Sequence, residues 1–318
     1  MSFKILVVDI ADSLLVTQLE AIGFSCEVNL KMTQQEFQEI KTPVVGLIIR
    51  SRFPIDAQTI DSHPELRFIV RLGAGVENID VAHATFKGVE VISTPQGNAP
   101  AVGQFCLAML LNRLRNISES DREVRRGEWL REKNKGKELS SLTIGIVGFG
   151  NTGQAFYNFL KPFNPEILVY DRYKTGFKQE FIQEVSLDVL LKRSDVVSIH
   201  INYIEENHYF FNAQLFSKMK RSPILINTSR GAVLNTQDLL NALDQGLIDH
   251  ACLDVLEFEN HRLTIPSPKD WPPILKTIAN HTQVTLTPHI AGQTFESEKR
   301  HAEIAVEKIR ALLEQKKF

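Results

Sequence analysis

The chain has 318 residues, 43% hydrophobic and 23% charged, which allows two domains with cores of ordinary soluble composition. Its formal net charge of −2 argues against a surface built for nucleic acid or for an anionic membrane. The three cysteines, Cys26, Cys106 and Cys252, are far apart in apolar surroundings with no CxxC pair, so no disulfide framework is expected and a reducing cytoplasm fits.

The first segment, Lys4-Ile5-Leu6-Val7-Val8-Asp9, reads as a strand too soon interrupted by charge to be a signal peptide. Strands are expected at residues 5–8, 26–29, 44–49, 67–70 and 89–92, with helices at 13–22, 34–40, 57–60 and 81–86 between them. Such alternation implies a parallel sheet, here a small flavodoxin-like unit. An amphipathic helix follows at 102–116, with an apolar stripe read as exposed. Its apolar core at 105–111 is too short for a membrane span. The charged stretch 118–137 around Trp129 reads as an exposed arm or a connection between domains.

A second alternation begins at Leu142, where Thr143-Ile144-Gly145-Ile146-Val147 runs straight into Gly148-Phe149-Gly150-Asn151-Thr152-Gly153. This is a strand entering Gly-x-Gly-x-x-Gly. Gly148 permits the tight turn, Gly150 lets a pyrophosphate approach the backbone, and Gly153 lets the next helix pack close. N–H groups near Asn151 and Thr152 then face the phosphates. A helix at 154–160 and a strand at 166–170 lead to Asp171, eighteen residues past Gly153, where a carboxylate suits the ribose hydroxyls and favours NAD. Arg172 beside it softens the exclusion of a 2′-phosphate, so NADP stays open. Further strands are expected at 196–201, 223–227, 250–254 and 283–287, making six, with helices at 187–192, 213–218 and 236–245. A terminal helix at 296–314 has no strand of this sheet left to cover and is expected to return to the first domain.

Ligands of open α/β sheets bind outside the carboxyl ends of the strands. Arg230, Glu259 and His289 fall at or just after such ends. Arg230 suits a substrate carboxylate, His289 suits proton exchange at an oxygen, and Glu259 suits orientation of the imidazole. Taken singly, each also reads as an ordinary surface or loop group.

With these residues in place, the chain resembles the D-isomer-specific 2-hydroxyacid dehydrogenases over nearly its whole length. The resemblance rests on Arg71-Leu72-Gly73-Ala74-Gly75-Val76-Glu77-Asn78-Ile79-Asp80, the glycine turn, Asn227-Thr228-Ser229-Arg230-Gly231, Leu253-Asp254-Val255 with Glu259, and Thr287-Pro288-His289-Ile290. It implies Arg230 as substrate anchor, His289 as acid/base and Glu259 as its partner. It also implies Asp254 at the nicotinamide carboxamide, Thr228 beside the cofactor, and Gly73, Ala74 and Gly75 in a loop whose N–H groups hold the substrate carboxylate. Ile49-Arg50-Ser51-Arg52 is similar to a segment of the phosphoglycerate dehydrogenases. The Arg50 and Arg52 guanidiniums beside the Ser51 hydroxyl there suit a phosphate, or else form a surface charge pair at a strand end.

The chain departs from the family pattern at Asn260, where proline is usual, at Gln104 for glutamate, at Asn202 for proline, and in a long Pro-rich segment between Glu259 and His289. The expected fold is α/β with two doubly wound parallel-sheet domains. Residues 1–99 and 291–318 form a flavodoxin-like substrate domain, split around an inserted Rossmann NAD-binding domain at 100–290. The expected activity is NAD-dependent hydride transfer with a small 2-hydroxy or 2-oxo acid, 3-phosphoglycerate first. Alternatives are a glyoxylate/hydroxypyruvate reductase and a non-catalytic NAD-sensing protein with transcriptional partners; a methyltransferase would leave Arg230, Glu259 and His289 unexplained. No nucleic acid, membrane or metal is expected. A cytoplasmic homodimer is, partly through the apolar helix at 102–116.

Overall fold

The computed structural model describes residues 3–315. Residues 1, 2 and 316–318, the outermost of the expected division, lie outside the described residues. The chain forms two compact units. One runs to Ala99, takes in Asn260–Thr264 and resumes at Gln293; the other comprises Pro100–Glu259 and Ile265–Gly292.

In the first unit the elements are β1 (Phe3–Val7), α1 (Ser13–Ala21), β2 (Phe24–Val28), α2 (Gln34–Glu39), β3 (Gly46–Ile49), α3 (Ala57–Asp61), β4 (Phe68–Arg71), α4 (Val81–Phe86) and β5 (Glu90–Ser93). All five strands are parallel, in the order β2-β1-β3-β4-β5, which is the flavodoxin-like winding. Local sequence sets where the helices start. Asp12, Thr33, Asp56 and Asp80 each accept a backbone N–H of the first turn, and Thr33 with Glu36 closes a capping box.

The second unit begins within α5 (Pro95–Leu114) and continues with α6 (Ile117–Arg125), β6 (Thr143–Val147), α7 (Asn151–Leu160), β7 (Glu166–Tyr170), β8 (Ile182–Glu184) and α8 (Leu187–Arg193). Then come β9 (Val196–Ile199), α9 (Ala213–Phe216), β10 (Ile224–Asn227), α10 (Thr236–Asp244), β11 (His250–Leu253), α11 (Pro273–Asn280) and β12 (Val284–Leu286). The chain closes with α12 (Phe295–Glu314), which belongs to the first unit. The second sheet is fully parallel in the order β12-β11-β10-β9-β6-β7-β8. The winding direction reverses between β6 and β9, so the carboxyl end of β6, where the glycine turn begins, is the switch point.

The structure corrects the sequence expectation in four places. The second sheet has seven strands, not six. β8 is three residues long with one apolar side chain, and as an edge strand paired only with β7 it leaves no periodic signal. The expected arm contains α6, a polar helix supported by Arg122–Glu119 and Arg125–Asp121 pairs three and four residues apart. The Pro-rich segment contains α11, because prolines at the cap and first position start a helix rather than break it.

Finally, α5 starts seven residues earlier than expected and continues through Pro100. Its apolar stripe is not exposed. Val102, Cys106, Met109, Leu110 and Leu114 are buried in one core with Ile144, Ile146, Phe156 and Tyr157. On α12, Ala302, Ala305, Val306, Ile309 and Leu312 recur every three or four residues and join Ile5, Val7, Leu15, Leu19, Phe68 and Val70 in the first unit's core.

Candidate active site

The glycine turn is held by sterics on both sides. Gly148 has φ +92°, and a Cβ there would stand 2.5 Å from the His200 carbonyl oxygen. A Cβ on Gly153 would stand 2.2 Å from the Gly148 oxygen, so α7 sits hard against the turn. At Gly150 a Cβ would meet nothing within 4 Å, which leaves that backbone open to a ligand. α7 then begins at Asn151 with no side chain capping it, so the N–H groups of Asn151 and Thr152 carry the positive end of the helix.

Asp171 follows β7 and is tied to the same turn. Its Oδ2 accepts the Phe149 N–H at 2.8 Å, and its Oδ1 accepts those of Tyr173 and Lys174 at 2.9 and 3.0 Å. Sequence reasoning missed the side chains beneath the turn. His200 bonds Ser198 Oγ at 2.8 Å through Nε2 and Thr152 Oγ1 at 3.2 Å through Nδ1. Burial pushes this imidazole down to about 3, so it stays neutral. Thr228 Oγ1 lies 3.2 Å from Cys106 Sγ, whose thiol burial pushes up to about 12.

The ends of β10, β11 and β12 are adjacent and point the same way, so the residues that follow them share one rim. Three residues past β12, His289 has φ +56°, a left-handed conformation that costs a non-glycine residue about 1–3 kcal/mol. Asp254 holds that strained turn. Its carbonyl accepts the His289 N–H at 2.8 Å. Its buried carboxylate accepts the Thr287 hydroxyl at 2.6 Å and the N–H groups of Ile290 and Ala291 at 3.0 and 2.8 Å.

His289 Nδ1 then meets Glu259 Oε2 at 2.5 Å, with both side chains largely screened from water. The other carboxylate oxygen of Glu259 accepts the Leu256 N–H at 2.7 Å, which fixes its orientation. Nδ1 facing a carboxylate carries the proton, and that leaves Nε2 to exchange one with a ligand. Arg230 lies in the turn after β10, where Asn227 Nδ2 donates to its carbonyl at 3.0 Å. Gly231 was not singled out from sequence as a contact point. A Cβ on it would stand 1.9 Å from the Leu256 carbonyl carbon, so the Arg230 turn presses directly on the segment leading to Glu259.

The first unit carries its own set at the ends of β3 and β4, neighbouring parallel strands. Asp9 Oδ2 accepts the backbone N–H groups of Arg50, Ser51 and Arg52 at 2.7, 2.9 and 3.0 Å, and Arg52 Nε lies 3.4 Å from Asp9 Oδ1. Arg50 Nη1 lies 3.3 Å from Glu298 Oε1. Both guanidiniums of this segment therefore face carboxylates of their own unit. In the following loop, the Gly73 N–H donates to Thr94 Oγ1 at 2.9 Å. Among the described residues, the N–H groups of Ala74 and Gly75 donate to no group of the chain. Asn78 Nδ2 donates to the Arg50 carbonyl at 3.3 Å and joins the two segments.

The departures from the family pattern also have structural roles. Asn260 Oδ1 accepts N–H groups of Arg262 and Thr264 at 2.8 and 3.3 Å in a side-chain-closed turn. In the Pro-rich segment, Trp271 Nε1 donates to the Pro266 carbonyl at 2.9 Å, and Leu275 and Ile278 are buried in the second unit's core. Among the described residues, no cluster of three metal-ligating side chains occurs, and no helix is long and apolar enough to cross a membrane.

A Rossmann-wound sheet with the glycine turn at its switch point, and an imidazole–carboxylate pair on the same edge, define a dinucleotide-dependent oxidoreductase. Comparison with known proteins narrows the class. Residues 107–291 match the family model described as D-isomer specific 2-hydroxyacid dehydrogenase, NAD binding domain. A hydroxypyruvate reductase of Thermotoga maritima is 33% identical over 87% of this chain and 88% of its own length. A D-3-phosphoglycerate dehydrogenase of Archaeoglobus fulgidus is 32% identical over 96% of this chain, which spans 56% of that protein. The crystal structure of a D-lactate dehydrogenase from Aquifex aeolicus, complexed with NAD and lactic acid, aligns with a TM-score of 0.82 at 25% identity, covering 98% of this chain and 96% of that one.

The chain belongs to the D-isomer specific 2-hydroxyacid dehydrogenase family. It is an NAD-dependent oxidoreductase of D-2-hydroxy acids. The open backbone at Gly150, the uncapped start of α7 and the carboxylate of Asp171 fit the pyrophosphate and ribose of that cofactor.

Proposed function

We propose that His289, Glu259 and Arg230 interconvert a short D-2-hydroxy acid and its 2-oxo acid. The observation that carries this reading is the 2.5 Å contact between His289 Nδ1 and Glu259 Oε2. When bound, NAD supplies hydride exchange at the substrate's second carbon. His289 Nε2 gives a proton to the carbonyl oxygen in reduction and takes it back in oxidation. Glu259 keeps that nitrogen available by holding Nδ1, and stabilises the charge that develops on the ring. Arg230 grips the substrate carboxylate and polarises the adjacent carbonyl. Asn151, Thr152 and Asp171 hold the pyrophosphate and ribose, Thr228 lies beside the cofactor, and Asp254 orients the nicotinamide end. In the first unit, the N–H groups of Ala74 and Gly75 offer donors suited to a carboxylate.

For the acid itself, 3-phosphoglycerate is supported by Arg50 and Ser51 at the end of β3. Hydroxypyruvate or glyoxylate is supported by the pairing of Arg50 with Glu298 and by Asp9 occupying the N–H groups of the same turn. Steady-state rates with NADH over glyoxylate, hydroxypyruvate and phosphohydroxypyruvate test the reaction; no turnover on any 2-oxo acid sinks it. Arg50→Ala separates the substrates. It should cost about 2 kcal/mol in kcat/KM for a phosphorylated acid and almost nothing for the others.

The protein is proposed to work as a homodimer. The apolar side of α5 no longer supports this, because it is buried. The exposed apolar side chains Ile117, Val124, Trp129 and Leu130, on and just after α6, do. Light scattering should give twice the chain mass for the wild type and a smaller particle for Val124→Glu with Trp129→Glu. A monomeric wild type counts against it.

A further inference from the structure

Deepening the proposed reading of the Gly73–Val76 loop as the carboxylate-binding loop, we propose that His301, on α12, is a positioning residue that acts through Thr94 to hold this loop in its substrate-binding shape.

Thr94 follows β5 and is fully buried. It grips Gly73 twice, accepting the Gly73 N–H on Oγ1 at 2.9 Å and donating its own N–H to the Gly73 carbonyl at 2.9 Å. A hydroxyl has one proton to give. The Arg71 carbonyl is 3.5 Å away, too long for a good bond, whereas His301 Nδ1 is at 2.7 Å. The threonine proton therefore goes to Nδ1, which must present a lone pair. The surroundings keep it so. Burial first, then the positive charges of Arg50, Arg71 and Arg300, push this imidazole down to about 4, and it is neutral at physiological pH.

α12 secures the same segment at two more points. Arg300 Nε donates to the Gly97 carbonyl at 2.8 Å, and Lys308 Nζ donates to the Ser93 carbonyl at 2.7 Å. Gly97 is part of the fit, since a Cβ there would lie 2.2 Å from His301 Nδ1. The Gly73 N–H, shared between Thr94 Oγ1 and the Arg71 carbonyl at 2.9 Å each, is thus consumed inside the protein. What it gains is a fixed start for the loop, whose next two N–H groups, on Ala74 and Gly75, have no partner in the described chain. Donors held in place before the anion arrives bind it without reordering.

The test is steady-state kinetics at pH 7.5 with NADH and whichever of glyoxylate, hydroxypyruvate and phosphohydroxypyruvate the wild type uses best. NADH affinity is measured separately by fluorescence. His301→Phe keeps a ring but no acceptor, and KM for the oxo acid should rise about tenfold for the lost hydrogen bond while kcat and NADH affinity stay within about twofold. His301→Asn places an amide oxygen near the Nδ1 position and should restore most of the KM. Thr94→Val should show the same split, and serves if His301→Phe does not fold. An unchanged KM in both His301→Phe and Thr94→Val, a parallel loss of kcat and NADH affinity, or no rescue by asparagine overturns the proposal. A wild type that turns over no 2-oxo acid instead brings down the underlying reading.

Discussion

At the scale of single residues, the proposed site separates the groups assigned to the reaction from the groups that hold them. His289 has a strained backbone, one ring nitrogen committed to Glu259 and one left for a ligand. Asp254 accepts three hydrogen bonds from the turn that carries His289. Replacing His289 by alanine should lower kcat by about 10²–10⁴-fold, the usual contribution of general acid–base catalysis, while NADH still binds. Glu259→Gln keeps an acceptor but loses the charge, and should lower kcat by about 10–100-fold. Pre-steady-state and steady-state rates on the two variants check this; a Glu259→Gln enzyme as fast as the wild type rules out the assigned role. Arg230, Glu259 and His289 could be singled out from sequence as candidates because each falls at or just beyond the carboxyl end of an apolar strand. The partners of Arg50 were not. Asp9 and Glu298 lie about 40 and 248 positions away along the chain.

At the scale of elements, short-range rules set most helix starts. The Asp, Thr, Ser and Asn caps of α1, α2, α3, α4, α8 and α10 each accept a first-turn N–H, so those helix starts could be read from sequence. Edge strand β8 and polar helix α6 could not, because neither has an apolar repeat that distinguishes it from a loop. Contact between elements is a separate matter. The approach of Gly231 to Leu256 locks the turn after β10 to the segment after β11. Gly231→Ala would force a backbone shift there, with an expected loss of about 1–3 kcal/mol from overpacking. Because the shift moves both Arg230 and Glu259, kcat/KM should fall as well. Urea unfolding and kinetics on the one variant measure both, and an alanine enzyme with wild-type stability would show that the turn has room to give.

For the molecule as a whole, pH response follows from four buried histidines, His63, His200, His250 and His301, each pushed down by burial. Burial holds His200 at about 3, and His250 and His301 at about 4, below the ordinary imidazole value of about 6.5. The unfolded chain binds these protons more readily. Stability is therefore fully present above about pH 6.5 and is lost as pH falls towards 4, by on the order of a few kcal/mol per histidine. Urea midpoints at pH 7.5 and pH 5 should differ clearly, and a His250→Phe variant should reduce the difference; equal midpoints would refute the linkage. The sequence by itself determined the alternation of strand and helix, the place of the glycine turn, and the chemistry at the strand ends. Hydrophobic period, turn sterics and capping act over a few residues, and a single chain displays them. Only the tertiary structure decided which donors and charges remain for a ligand. It gave the Gly73 N–H to Thr94, Arg50 to Glu298, and the apolar face of α5 to the core. Those pairings join residues far apart along the chain, and a buried polar or apolar group takes whichever partner the packed fold brings within reach.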